Sequence, residues 1–401
     1  DCVASDNLSL SHLAEILWTI GTLRTILPNF VVVVPDILAS LRRRLNEGLS
    51  VGELANVLRA IVKFRKDMPE VLHLAPCLEP SIDSLADALN PAQLCGALEC
   101  MAALRDDWPT GSKFASRLAC LLHSKRGEGR VGTYEKRHED SNLLSAERVG
   151  VAIWALGLSS AQDCEGIQQT LTWLAGDLAV PYLEEESMPL ESIRMMCWGL
   201  GTFGGRHEQH SRAVQLAANN VQKSLNERLW ARTVSLMPIT LWACARLEVV
   251  HHPLCEACVK LCSADKLMTL RSWELCALYW AFRVLDTEDR YISFRGQLEK
   301  TLAVRGVSHE QAERSSAPPH MSEWLETRDE LERAYRVDGS EETDAAVDYT
   351  EEGDHEWRLR AYFYRDLPTF LLPSFYESYH GRLGAKPGAS PYWTASSAQK
   401  K

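Results

Sequence analysis

Seven stretches of the chain share one arrangement of apolar and polar positions: LAEILWTIGTL from Leu13, LANVLRAIVKF from Leu54, LCGALECMAAL from Leu94, VGVAIWALGLS from Val149, IRMMCWGLGTF from Ile193, MPITLWACARL from Met237 and LCALYWAFRVL from Leu275. In each, apolar residues recur at i, i+3, i+4 and i+7, as at Leu13, Ile16, Leu17 and Ile20, which predicts an amphipathic helix. Helix-start residues precede several of them: Ser9 or Ser11 with Glu15, Ser50 with Glu53, Asn90 before Pro91, and Ser145 before Glu147. Second helical patterns lie between, at 36–48, 166–178, 213–230 and 294–306. The sixth residue of the seven segments reads Trp18, Arg59, Glu99, Trp154, Trp198, Trp242 and Trp280, at spacings of 38 to 44 residues except for one gap of 55. Three positions further on stands a small residue in most copies (Gly21, Ala102, Gly157, Gly201, Ala245), which leaves room for a neighbouring helix to approach. Helix, short connection, helix at this period predicts an all-α fold, an α-solenoid of about seven helix-turn-helix repeats over residues 1–308. A polar, Gly-bearing insertion at 124–142 accounts for the long gap and reads as a surface loop.

Length and charge fit this organisation. A chain of 401 residues exceeds the roughly 250–300 at which single cores stop growing, and stacked repeats account for the excess without further globular domains. The net charge of −11 argues at first against nucleic acid. Yet residues 309–356 hold 16 Asp and Glu against 4 Arg, which places the acidity in one linker with a single short helix expected at 322–336. Residues 1–308 are left at −4, and the last 45 residues, 357–401, carry +5 together with ten aromatic residues. The twelve cysteines are scattered through the apolar patterns, as small buried hydrophobes of a reducing compartment are, and suggest no disulfide framework. No apolar run approaches the 18 or more residues of a membrane span, so no membrane insertion is expected. Because the chain begins at Asp1, a targeting segment is expected to have been removed or left out.

Serine, then Leu-Ala-x-Ile-Leu-Trp, then a small residue and leucine, as in LSLSHLAEILWTIGTL (8–23) and LLSAERVGVAIWALGLS (143–159), resembles the octotricopeptide repeat and its heptatricopeptide relatives of algal and apicomplexan organelles. The likeness covers most of 8–308; the RAP domain that closes many relatives has no counterpart in the C-terminal arm. What the resemblance implies is an α-superhelix in a mitochondrion, or alternatively a plastid, that binds RNA in transcript maturation or as part of a ribosome.

Phosphate contact would come from cations in repeating register. Arg24, Arg65 and Arg105 each follow the last apolar residue of the first three repeats, with Arg42, Arg43, Arg44, Lys63 and Lys66 nearby. Stacked repeats would align them into a stripe for an RNA backbone. The same residues would also serve as cations at helix C-termini, favoured there by the helix dipole. In the arm, Arg358, Arg360, Arg365, Arg382 and Lys386 interleave with aromatics and suit ribosomal RNA or a protein groove, so the arm is expected to dock on a partner. The tryptophan series reads as repeat core, with a groove-facing base platform as the alternative.

Two chemical motifs compete with structural readings. Gly199-Leu-Gly201-Thr-Phe-Gly204 fits the dinucleotide pattern G-x-G-x-x-G but ends a helical segment, where that motif needs a preceding strand. His251, Cys255, Cys258 and Cys262 have the residue types of a zinc site, while their i, i+3, i+7 sulfurs also describe the core stripe of a helix, the preferred reading. There is no GxxxxGK[ST], HExxH or GxSxG, and the SxxK at Ser263 stands alone. The expectation is a non-enzyme without cofactor. The rival to an RNA binder is a protein-binding scaffold of HEAT or armadillo type in another mitochondrial complex.

Overall fold

The structure, a computed structural model, describes residues 8–24, 28–127, 144–159, 165–225, 236–308 and 312. The distal part of the 124–142 insertion, the 322–336 segment, the acidic linker beyond Ala312 and the arm with Arg358, Arg360, Arg365, Arg382 and Lys386 lie outside the described residues. The described chain is all-α, with the packed helices of a repeat fold. It divides into two compact units between Arg44 and Leu45.

In the first unit, α1 (Leu10–Leu23) and α2 (Val34–Arg44) form an antiparallel repeat, joined across a 3-10 segment over Pro28–Val33. Ser9 caps α1, accepting from the His12 backbone N–H at 3.2 Å, and the Arg44 guanidinium bonds the Leu8 carbonyl.

The second unit contains α3 (Val51–Phe64), α4 (Glu79–Leu85), α5 (Pro91–Ala103), α6 (Ser112–Ser124), α7 (Ala146–Leu158), α8 (Glu165–Trp173), α9 (Val180–Glu184), α10 (Leu190–Phe203), α11 (Glu208–Ser224), α12 (Leu236–Arg246), α13 (His252–Leu261), α14 (Ala264–Thr269), α15 (Ser272–Leu285) and α16 (Ile292–Val304). All seven repeated segments are helical: α1, α3, α5, α7, α10, α12 and α15. Within the second unit, α3, α5, α7, α10, α12 and α15 pack in chain order as one layer. The intervening helices form the second layer, where α6 meets α8, α9 meets α11, α11 meets α13, and α14 meets α16.

Start signals work as the sequence suggests. At α3, Ser50 and Glu53 form a reciprocal capping box, the Ser50 N–H donating to Glu53 Oε2 at 2.6 Å. At α5, Asn90 Oδ1 accepts from the Gln93 N–H and Gln93 Oε1 accepts from the Asn90 N–H, both at 2.9 Å, with Pro91 supplying the preset φ of a first helical residue. Asn90→Ala removes one arm of this box and leaves the Gln93 N–H to water, so urea unfolding should report a loss of about 1 kcal/mol.

One local feature departs from the sequence pattern and one agrees with it. The 166–178 helix runs from α8 into a π-helical stretch at Leu174–Ala179, where Gly176 lets the chain pass the Gln209 side chain of α11. Gly204 ends α10 in the left-handed conformation at φ 68°, which glycine adopts without strain. Gly199 and Gly201 are therefore helix interior and Gly204 is a C-terminal cap, an arrangement that cannot cradle a pyrophosphate.

Candidate nucleic-acid interface

The seam between α7 and α10 is built from glycines. A Cβ added to Gly157 would lie 2.6 Å from the Cα of Gly199, and one added to Gly150 would lie 2.6 Å from the Ser192 carbonyl oxygen. Between α10 and α12 the contact changes character: the Trp242 indole occupies the space over Gly201, its Cε3 2.9 Å from where a Cβ would stand. Trp154 and Trp198 meet edge to face with centroids 6.0 Å apart. Trp154, Trp198 and Trp242 are buried and fill these seams, whereas Trp18 and Trp280 are partly exposed. Gly21 is buried in α1.

The three arginines in common register all end on main-chain carbonyls at helix C-termini. Arg24 Nη1 donates to the Gly21 carbonyl at 3.0 Å in its own helix. Arg65, only 6% exposed, reaches from α3 to the Ala103 carbonyl at the end of α5. Arg105 Nη1 bonds the Leu158 carbonyl at the end of α7 at 2.8 Å, while its Nε pairs with Asp106 at 3.2 Å. Arg246, two residues earlier in its repeat, does the same backwards, its Nε bonding the Gly201 carbonyl of α10 at 3.1 Å. A guanidinium there satisfies orphan carbonyls and sits at the negative end of the helix dipole. Arg65, Arg105 and Arg246 thereby hold one repeat to another.

Of the other basic candidates, Arg42 and Arg43 are exposed on α2, with Arg43 Nη2 3.3 Å from Ser40 Oγ, and Arg44 is the partly buried partner of Leu8. Lys63 is exposed on α3 and Lys66 is exposed in the turn that follows it. Arg59, which the sequence reading treated only as a variant of the tryptophan position, is exposed as well, its Nη2 standing 3.5 Å from where a Cβ on Gly96 of α5 would lie. Arg59 and Lys63, at i and i+4, share one face of α3, and Lys66 follows in the turn just past its C-terminal end. That spacing was visible in the sequence and was the signal to use.

The outer surface of the second layer is electrically balanced. Lys113 pairs with Glu79 at 2.7 Å, Arg117 with Asp83 at 2.8 Å and Asp87 at 3.2 Å, Arg212 with Glu184 at 2.6 Å, and Lys223 with Glu186. The hydrogen bonds of Lys113, Thr110 and Trp108 hold the Glu79 carboxyl below its ordinary range. Exposed pairs of this kind add little stability, ~0–1 kcal/mol each; their effect is to cancel field.

Among the described residues, no group of three or more His, Cys, Asp and Glu is placed to hold a metal ion. Cys255, Cys258 and Cys262 are buried, with the last two sulfurs 4.0 Å apart, and His251 is engaged at both ring nitrogens. Burial pushes the thiols of Cys95, Cys100, Cys197 and Cys255 up to about 12, and those of Cys244 and Cys258 well above the usual range. Such groups stay protonated and pack as small apolar side chains. No described helix is long and apolar enough to cross a membrane. Compared with models of known protein families and with the curated proteins, the chain matches none.

Proposed function

We propose that the chain is a non-enzymatic RNA-binding helical-repeat protein of an organelle, the mitochondrion before the plastid, that sits in or beside the organellar ribosome and contacts ribosomal RNA and neighbouring proteins. The observation that carries this reading is the exposed cluster of Arg59 and Lys63 on one face of α3 with Lys66 in the turn at its end, in a body of nearly neutral charge. Further support comes from the exposed Arg42 and Arg43 on α2, from the basic aromatic arm, and from the resemblance to octotricopeptide-type repeats. A phosphate backbone needs cations that can leave water for it, and Arg65 and Arg105, bonded to carbonyls, are not of that kind.

One observation favours a protein-binding scaffold instead. The ion pairs along the second layer leave that surface neutral, as suits a protein partner better than a polyanion.

Titrating the full chain with a labelled single-stranded RNA oligomer over a range of salt separates the two. Neutralising Arg59, Lys63 and Lys66 together should flatten the log–log salt slope by about 2, since each lost phosphate contact removes ~0.7 on a single strand. An unchanged slope, together with no co-sedimentation of the protein with ribosomal subunits from isolated organelles, would support the scaffold.

A further inference from the structure

We propose that His251 makes the joint between α11 and α13 acid-sensitive, holding two consecutive repeats together only while its ring is neutral. The ring stands at the start of α13, where Nδ1 accepts the backbone N–H of Leu254 at 3.1 Å. A backbone N–H can only donate, so Nδ1 carries no proton and the ring proton sits on Nε2. That nitrogen lies 2.8 Å from Oδ1 of Asn219 on α11 and donates to it. One neutral tautomer thus caps one helix and ties it to the next.

Protonation sets N–H against N–H at the cap and places a positive charge at the positive end of the α13 dipole. His251 is 5% exposed, so water cannot readily replace the lost acceptor. Burial, the largest cause, holds the imidazole below its ordinary pKa; a backbone hydrogen bond opposes it, and the neighbouring His252 adds a lesser push in the direction of burial. The other charges around the joint are committed elsewhere or lie further along. Lys223 of α11 pairs with Glu186, Glu248 ahead of α13 pairs with Arg206, Arg246 of α12 bonds the Gly201 carbonyl, and Glu256 is a turn into α13. Among the described residues, no carboxylate is among the groups that shift the ring.

The sign follows. A histidine with a folded pKa below its unfolded value contributes fully above the unfolded value, about 6.5, and that contribution is lost as pH falls from there through the folded pKa. A second buried histidine, His210, is built differently. Its Nδ1 donates to the Gly205 carbonyl at 3.2 Å and its Nε2 faces the Thr172 hydroxyl at 3.4 Å. That hydroxyl can rotate to accept from a protonated ring, whereas the Leu254 N–H has no such freedom.

Imidazole 15N spectra and amide exchange of the full chain at pH 7.5 and 5.5, corrected for intrinsic exchange, test the joint. The His251 ring should show the Nε2–H tautomer at pH 7.5. Protection of residues 252–261 should fall by up to roughly tenfold by pH 5.5, the ceiling for one histidine whose open-state pKa is about 6.5, while α7 keeps its own. His251→Asn, whose side-chain oxygen caps without titrating, should keep the protection of 252–261 at both pH values. An Nδ1–H tautomer, unchanged protection of 252–261 at pH 5.5, or the same acid loss in H251N would each overturn the proposal. The tautomer measurement is made on the wild-type chain and decides even if the variant does not fold.

Discussion

Gly157→Ala should destabilise the chain by about 3 kcal/mol or more, although alanine is the better helix former by about 1 kcal/mol. The atoms that a new methyl group would meet are the main chain of Gly199, with its Cα at 2.6 Å, so no side chain can swing aside. Relief requires α7 and α10 to separate, which would also loosen Gly150 from Ser192 and Trp154 from Trp198. Gly52→Ala in α3, where a Cβ would meet nothing within 4 Å, is the contrasting case and should stabilise by roughly 0.5–1 kcal/mol. Urea unfolding followed by tryptophan fluorescence measures both, and a stabilised G157A would show that the helices are not packed backbone to backbone.

Arg65→Ala should cost about 2–3 kcal/mol. It removes a buried charged donor from the Ala103 carbonyl and the packed stem of the arginine from between two repeats. Lys63→Ala and Lys66→Ala, two positions before and one after on the exposed face, should change stability by no more than roughly 0.5 kcal/mol. The effects should reverse for RNA: the salt slope should respond to Lys63 and Lys66 and be indifferent to Arg65 in chains that remain folded. If R65A were as stable as wild type, the arginine would not be the link between α3 and α5 that the geometry indicates.

Much of the fold was legible because the signals are local. The Ser50–Glu53 box and the Asn90–Pro91 start depend on residues within one helical turn, and each sits where its side chains can reach the orphan N–H groups. The period of the seven helices needed only the spacing of Leu, Trp and small residues. The interface was less legible. Arg24, Arg65 and Arg105 share a register that suits a phosphate stripe and a helix C-terminal anchor equally well, and only the position of the carbonyls distinguishes them. The repeated small residue at Gly157 and Gly201 was visible, yet its partners were not: Gly199 faces the first and Trp242 the second. The partners of His251 were not legible either, since Asn219 and the Leu254 N–H that engage the imidazole lie on another helix and on the main chain.

The sequence by itself determined that this chain is all-α, where its repeated helices begin, and which stripe of each turns inward, because capping and amphipathic burial are decided within one turn or one repeat. Only the tertiary structure decided which arginines bind carbonyls and which face water, and which glycines admit a backbone rather than an indole. Those outcomes depend on distances between residues such as Arg65 and Ala103, or Arg105 and Leu158, that are 38 and 53 positions apart. Distances of that kind are set by how the repeats pack, and no local pattern encodes them.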